Sequence, residues 1–353
     1  MNRILLVRLR EIGDVVFTTP AIRALRRRYP ASHISYIVEP HAAPVVEHNP
    51  HLDRLIVAPR IRGAAGALAD VRLGRELKAQ GFDLAIDFHG GPRASLLTWL
   101  SGAKERVGYE ILGRGWMYTR RVARPRALRA RHSVENQWDL LRALDIDPPE
   151  REGDAVEMAV DPSAIDRVGA RLAEAHVANG DRLIVIHVSA GNPFRRWPLD
   201  HFVALVNGLA GHPACRVVLT SGPSERAAAR EILTKARAHL GSESGAAVLD
   251  CGEFSLAELR ALADRAALFI GGDSGPLHIA STTTVPIVGL FGPTVPERSA
   301  PWRGTSLPMA AIDAGPLPCR PCDQRVCVPG DFRCLGWIPP ERVLEAALRL
   351  MRG

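Results

Sequence analysis

Residues 4–30 read ILLVRLREIGDVVFTTPAIRALRRRYP, and the order of their parts decides the fold. The apolar run at the start reads as a strand, and helical periodicity follows near 20–29, with Thr19-Pro20 as a helix-start signal. Strand, turn and helix in that order open the nucleotide-binding α/β folds. The turn, however, holds one glycine, Gly13, where a dinucleotide-binding loop carries three. Beside it stands Asp14, an acid in a stretch otherwise full of arginine. Two readings of Asp14 are open from the residues alone: a helix cap, or a reagent.

Working outward, short apolar runs alternate with amphipathic stretches. Strands are expected at 3–9, 34–38, 54–57, 83–87 and 105–108, with helices near 20–29, 66–80, 92–100 and 132–145. Residues 145–158, DIDPPEREGDAVEM, are rich in proline, glycine and acid and read as a linker. Beyond them the alternation restarts, with strands at 182–187, 216–220, 247–249, 267–271 and 286–290. The helices expected between those strands are 163–178, 199–210, 224–239, 256–264 and 275–283. Two doubly wound, Rossmann-like α/β domains are therefore expected to face each other across a cleft, with ligands at the carboxyl ends of parallel strands. The expected divisions are 1–150 and 151–338, with a helix over 339–353 returning to the first domain.

Composition narrows the function. The 353 residues suit two domains better than one core. No apolar run reaches the roughly 20 residues of a membrane-spanning helix. The N-terminus lacks the pattern of a signal peptide, so a cytoplasmic protein is expected. The 45 Lys+Arg against 38 Asp+Glu favour an acidic partner: phosphates, nucleic acid or an anionic membrane surface. Nucleic acid is disfavoured, because aromatics are only 5% of the chain and no aromatic-basic interleaving occurs.

Three loops carry the chemistry. Residues 269–296, FIGGDSGPLHIASTTTVPIVGLFGPTVP, place Asp273, Ser274 and Gly275 between a strand and a helix, followed by a second glycine-bearing loop. Small residues there let backbone N–H groups approach an anion, although Asp273 and Ser274 are also good caps. His278, one turn into the helix, is able to face either phosphates or core. In residues 184–202, IVIHVSAGNPFRRWPLDHF, a strand ends at His187 and its loop holds Ser189, Gly191, Asn192, Arg195 and Arg196. Hydroxyls, a glycine and paired guanidiniums make a phosphate clamp or a solvated basic loop. Residues 217–232, VVLTSGPSERAAAREI, bring Glu225 to a helix start, where it is able to hold a ribose or simply suit the helix dipole.

Together with DFHGGPRASLLTWLSGAKERVGY (87–109), HSVENQWDLLRAL (132–144) and CRPCDQRVCVPGDFRCLGWIPPERV (319–343), these segments resemble the ADP-heptose:lipopolysaccharide heptosyltransferases, glycosyltransferase family 9. The resemblance spans nearly the whole chain, in order. It implies a two-domain GT-B fold with an acceptor-binding first domain and a second domain that binds the nucleotide sugar. It also implies inverting transfer of heptose from ADP-heptose to a lipopolysaccharide inner-core acceptor. Asp14 matches the general base. Ser189, Arg195, Glu225, Asp273, Ser274, Gly275 and His278 match the donor site, with Arg195 at a position that is usually Lys. Gly13 and Arg93 are expected on the acceptor side, because an anionic acceptor suits the arginine-rich first half and peripheral contact with the inner membrane. No cofactor or divalent metal is expected for the chemistry, since backbone amides and Arg195 are able to support the leaving diphosphate.

Three alternatives stand beside this reading: a GT-B transferase of another nucleotide sugar, a sugar-nucleotide epimerase, and a basic nucleic-acid-binding protein with a four-cysteine metal site. Cys319, Cys322, Cys327 and Cys334 form a C-x2-C-x4-C-x6-C cluster. One pair has good zinc-ligand spacing and the other is irregular. A structural zinc or iron site and free thiols are both open.

Overall fold

The computed structural model of the protein describes residues 1–123, 131–188 and 192–352. The chain forms two compact units, Met1–Ala159 and Val160–Gly353. Each is built on a six-stranded, wholly parallel sheet.

In the first unit the strands are β1 (Arg3–Val7), β2 (His33–Val38), β3 (Arg54–Val57), β4 (Leu84–Asp87), β5 (Glu105–Tyr109) and β6 (Arg120–Val122), in the order β3-β2-β1-β4-β5-β6. Ile4, Leu5, Leu6 and Val7 are fully buried, as a central strand covered by helices on both faces requires. The strand order reverses between β1 and β4. There the connections leave in opposite directions and open a crevice at the carboxyl ends, which is where Arg8, Asp14 and Asp87 sit.

The second unit repeats the plan with β7 (Arg182–His187), β8 (Cys215–Thr220), β9 (Val248–Leu249), β10 (Leu268–Gly272), β11 (Ile287–Phe291) and β12 (Met309–Asp313), ordered β12-β11-β10-β7-β8-β9. The reversal lies between β10 and β7. The loops after β7, β8, β10 and β11 carry Arg195, Glu225, Asp273 and Thr294. Both sheets confirm the doubly wound α/β class. The two strands that sequence reading omits, β6 and β12, are edge strands. Arg120 and Arg121 are exposed, and β12 is mostly half-buried, so neither shows a continuous apolar run.

Two domain expectations are corrected. The first unit ends at Ala159, not at residue 150, because the linker's acidic half is fastened onto it. Arg27 Nη2 reaches Asp154 at 2.6 Å, the Glu157 amide donates to Thr19 Oγ1 at 2.9 Å, and Asn49 Nδ2 donates to Glu157 at 3.2 Å. The last helix, Pro340–Arg352, expected to return to the first domain, belongs to the second unit and is built into its core. Val343, Ala346 and Ala347 are buried with Trp197, Phe202 and Leu205. Trp197 Nε1 donates to the Ile338 carbonyl at 3.0 Å, and Gly208 leaves room for Leu344. Val343→Ala is therefore expected to cost about 2 kcal/mol. Hydrogen exchange should then quicken in β7, β10 and β11 while β1 and β4 keep their protection.

Candidate active site

The first unit's site begins where β1 ends. Arg8 donates through Nη1 to the Phe88 carbonyl at 2.6 Å and through Nη2 to Asp14 Oδ2, tying the ends of β1 and β4 together. Asp14 lies in the first turn of the short helix Ile12–Val16, and no side chain caps that helix. The cap reading is thus replaced: the carboxylate is ion-paired, with 37% of the side chain exposed. Asp14 Oδ1 takes no protein hydrogen bond among the described residues. Gly13 is ordinary helix, its carbonyl accepting from the Phe17 amide. The left-handed conformation at this turn falls on Glu11, at φ 62°.

Next to it, Asp87 is fully buried at the end of β4. It accepts from the amides of His89 and Gly90 at 2.9 and 2.8 Å and from the Tyr118 hydroxyl at 2.6 Å. Burial pushes the Asp87 carboxyl above its usual range against those bonds. Burial and then Asp87 itself push the Tyr118 hydroxyl up, so it remains a donor. Burial, then the charges of Arg8 and Arg10, hold the His89 ring down to about 4. The DFHGG stretch signals this corner, but the residues give no hint that Tyr118 completes it.

Arg93 is a correction. Its Nε and Nη2 hold Asp70, its Nη1 holds Glu39 and the Ala58 carbonyl, and its Nη2 also reaches the Pro59 carbonyl. All five N–H groups are consumed inside the first unit, so Arg93 staples the sheet edge and has none left for an acceptor.

In the second unit, Arg195, Asp273 and His278, three of the residues expected at the donor site, come together. Asp273, 3% exposed, is the hub. His278 Nε2 lies 3.3 Å from Oδ1, while Thr294 Oγ1 donates to Oδ2 at 2.5 Å. Arg195 Nη1 donates to the Asp273 carbonyl at 2.9 Å and lies 3.4 Å from Oδ2. Burial works to raise the Asp273 pKa, but His278, Arg195 and Thr294 outweigh it and hold the carboxyl down to about 2. His278 thus faces Asp273, neither solvent nor open core. Ser274 donates to the Gly272 carbonyl at 3.1 Å and makes no cap bond. The helix that starts at Gly275 has only six residues, so little macrodipole stands behind it.

Glu225, 2% exposed, accepts from Arg196 Nη2 at 2.6 Å through Oε1. Its Oε2 is buried with no donor among the described residues. Beneath the β7–β8 loops, His187 Nδ1 pairs with Thr220 Oγ1 at 2.9 Å, and burial holds the imidazole down to about 4. Ser189 lies outside the described residues. Thr294 and Gln324 belong to this cluster although sequence reading assigns them nothing, because single polar residues in loops carry no periodic signal.

Cys319, Cys322, Cys327 and Cys334 border one cavity of about 520 Å³ beside Phe194 and Phe332. Burial, then the neighbouring Cys322 thiol, pushes Cys334 up. All six cysteines of the chain are free thiols. Among the described residues, no group of three or more His, Cys, Asp or Glu side chains is arranged to hold a metal ion.

Similarity to known proteins points the same way. A family model described as glycosyltransferase family 9 (heptosyltransferase) matches residues 71–329. Lipopolysaccharide heptosyltransferase 3 of Escherichia coli is 28% identical over 322 residues, 90% of this chain and 91% of that one. The glycosyl transferase family 9 structure from Veillonella parvula DSM 2008 aligns with a TM-score of 0.83 at 24% identity, over 99% of this chain and 97% of that one. E. coli ADP-heptose lps heptosyltransferase II aligns with a TM-score of 0.77 at 20% identity, over 100% and 99%. Both structures share the fold described above.

The buried titratable groups set an acid profile. The His187 ring is held well below the 6.5 of an unfolded chain, so its contribution is complete above pH 6.5 and is lost as pH falls through about 4. His89 follows the same course. The Asp273 carboxyl contributes fully above 3.8 and loses its contribution as pH falls toward about 2. Urea midpoints measured against pH should therefore begin to fall just below pH 6.5, before the carboxylates titrate. Burial raises the Asp87 carboxyl and gives it the opposite sign, so the decisive sample is Asp87→Asn, in which a midpoint that stays level down to pH 4.5 would contradict the neutral, buried histidines.

Proposed function

The chain belongs to glycosyltransferase family 9, the heptosyltransferases, and from that premise we propose that it moves heptose from ADP-heptose to a lipopolysaccharide inner-core acceptor, with Asp14 as general base. The observation that carries the donor half is the pair of unused polar groups in the second unit. Among the described residues, Glu225 Oε2 is buried without a donor, and Arg195 donates through Nε and Nη1 but not through Nη2. A buried acceptor left unmatched costs roughly 1–3 kcal/mol, which a ribose hydroxyl donating to it recovers. The free edge of the Arg195 guanidinium suits a diphosphate. Both groups sit at the carboxyl ends of parallel strands, where such sheets bind nucleotides.

The proposed reaction uses these groups. An acceptor hydroxyl attacks the anomeric carbon from the face opposite the diphosphate, so the configuration inverts. Asp14 Oδ1 takes the hydroxyl proton while Arg8 keeps the other oxygen and fixes the carboxylate's orientation. The bond from the anomeric carbon to the diphosphate oxygen breaks, and ADP leaves with the electron pair. Charge growing on that oxygen meets Arg195, held in place before the reaction begins. A guanidinium already supplies the positive charge, so the chemistry is proposed to run without a divalent cation.

Asp14→Asn keeps the volume but removes the base. It should lower kcat by roughly 10²–10⁴ while ADP affinity stays at the parent's value. EDTA should leave kcat of the parent unchanged in the same assay. Transfer at the parent rate in Asp14→Asn would remove this residue from the mechanism.

We also propose that the protein works in the cytoplasm, in peripheral contact with the inner membrane. Among the described residues no helix is long and apolar enough to cross a membrane. In the first unit, Trp99 and Trp116 stand edge to face at 5.5 Å, 41% and 58% exposed, and Leu112 is fully exposed. Arg120 and Arg121 are exposed nearby in sequence. Exposed indoles beside guanidiniums suit an anionic headgroup layer. Co-sedimentation with phosphatidylglycerol vesicles should fall at least about threefold in a Trp99→Ser/Trp116→Ser variant. No binding by the parent protein would refute the membrane contact.

A further inference from the structure

We infer that Gln324, in the cysteine loop, is a positioning residue of the donor site: its side-chain carbonyl aims Arg195 at the diphosphate. This rests on the donor-site reading above and goes one residue beyond it. Gln324 Oε1 accepts from Arg195 Nε at 2.8 Å and from Asn192 Nδ2 at 2.8 Å. The polarity is forced by the partners. Arg195 has only donors, and Asn192 Oδ1 is already occupied by the Phe194 amide at 2.9 Å, so Asn192 turns its NH₂ toward Gln324. With Nε on Gln324 and Nη1 on Asp273, the guanidinium is fastened along one edge, and only Nη2 is left to meet a ligand.

Gln324 is itself held from behind. The Cys322 amide donates to the Pro293 carbonyl at 3.1 Å. Arg320 bridges the ends of β12 and β11, donating to Asp313 Oδ2 at 3.0 Å, to the Gly315 carbonyl at 2.8 Å and to the Thr294 carbonyl at 2.9 Å. These bonds seat the loop on the ends of β11 and β12, next to the Thr294 hydroxyl that holds Asp273. Gln324 adopts a positive φ of 60°, which glycine accepts without strain. A long arginine loses much rotamer freedom when it is ordered, and fixing it before the ligand arrives removes that cost from binding.

The test is ADP affinity by calorimetry on the full chain, with four proteins beside the parent: Gln324→Met, Gln324→Gly, Arg195→Ala and Arg195→Ala/Gln324→Met. Methionine keeps the length and removes the acceptor. Glycine removes it too and accepts φ 60° without strain, so it guards against a folding defect, which thermal midpoints will reveal. Both Gln324 variants should weaken ADP about tenfold and raise the donor KM to match. Arg195→Ala should weaken ADP at least as much, and the double variant should be no weaker than Arg195→Ala, because Gln324 acts only through that arginine. Unchanged ADP affinity in either folded Gln324 variant, or losses that add in the double variant, would overturn the inference. Unchanged affinity in Arg195→Ala would instead overturn the donor-site reading beneath it.

Discussion

A carboxylate buried to 3% exposure must be ringed by donors, and the second unit is arranged around meeting that demand at Asp273. The residue directly follows β10 at the point where strand order reverses, so groups arrive from loops on either side of it. His278 comes from the helix that follows, Thr294 from the loop after β11, and Arg195 from the loop after β7. An ion pair this deep is not by itself a source of stability, because desolvation offsets much of the attraction. Its effect is geometric. It freezes an arginine and two loops at the end of a crevice before any ligand binds.

The first unit solves a related problem with the opposite exposure. Arg8 bridges the carboxyl ends of β1 and β4, as Arg195 bridges the ends of β7 and β10, but the acid it holds is open to solvent. The fully buried acid nearby, Asp87, is satisfied by two amides and Tyr118 and braces the corner. One acid is therefore structural and the other available. Burial separates the two roles although the residue types are the same.

Much of this was legible in the residues. The alternating pattern placed ten of the twelve strands, and the glycine-bearing loops marked where Asp273, Glu225 and Arg195 would gather. What the pattern lost were the edges, β6 and β12, where half-exposed strands carry arginine or alanine in place of an apolar run. Arg93 was misjudged because an arginine in a basic stretch looks available, whereas its five N–H groups are all spent on Asp70, Glu39 and two carbonyls far away in sequence. Gln324 was invisible for the converse reason: its partners lie about 130 residues away, and nothing local marks it.

The sequence by itself determined the class of fold, the parallel sheets and the family, because these rest on local periodicity and on motifs a few residues long. It also set which residue types stand at the strand ends. Only the tertiary structure decided which of those side chains are spent and which are free. Asp14 is an exposed partner of Arg8 and not a cap, the last helix completes the second core, and the cysteine loop reaches Arg195 through Gln324. The physical reason is that a hydrogen-bonding group's availability depends on every neighbour that competes for it. Those neighbours are brought together by packing across the chain, not by adjacency along it.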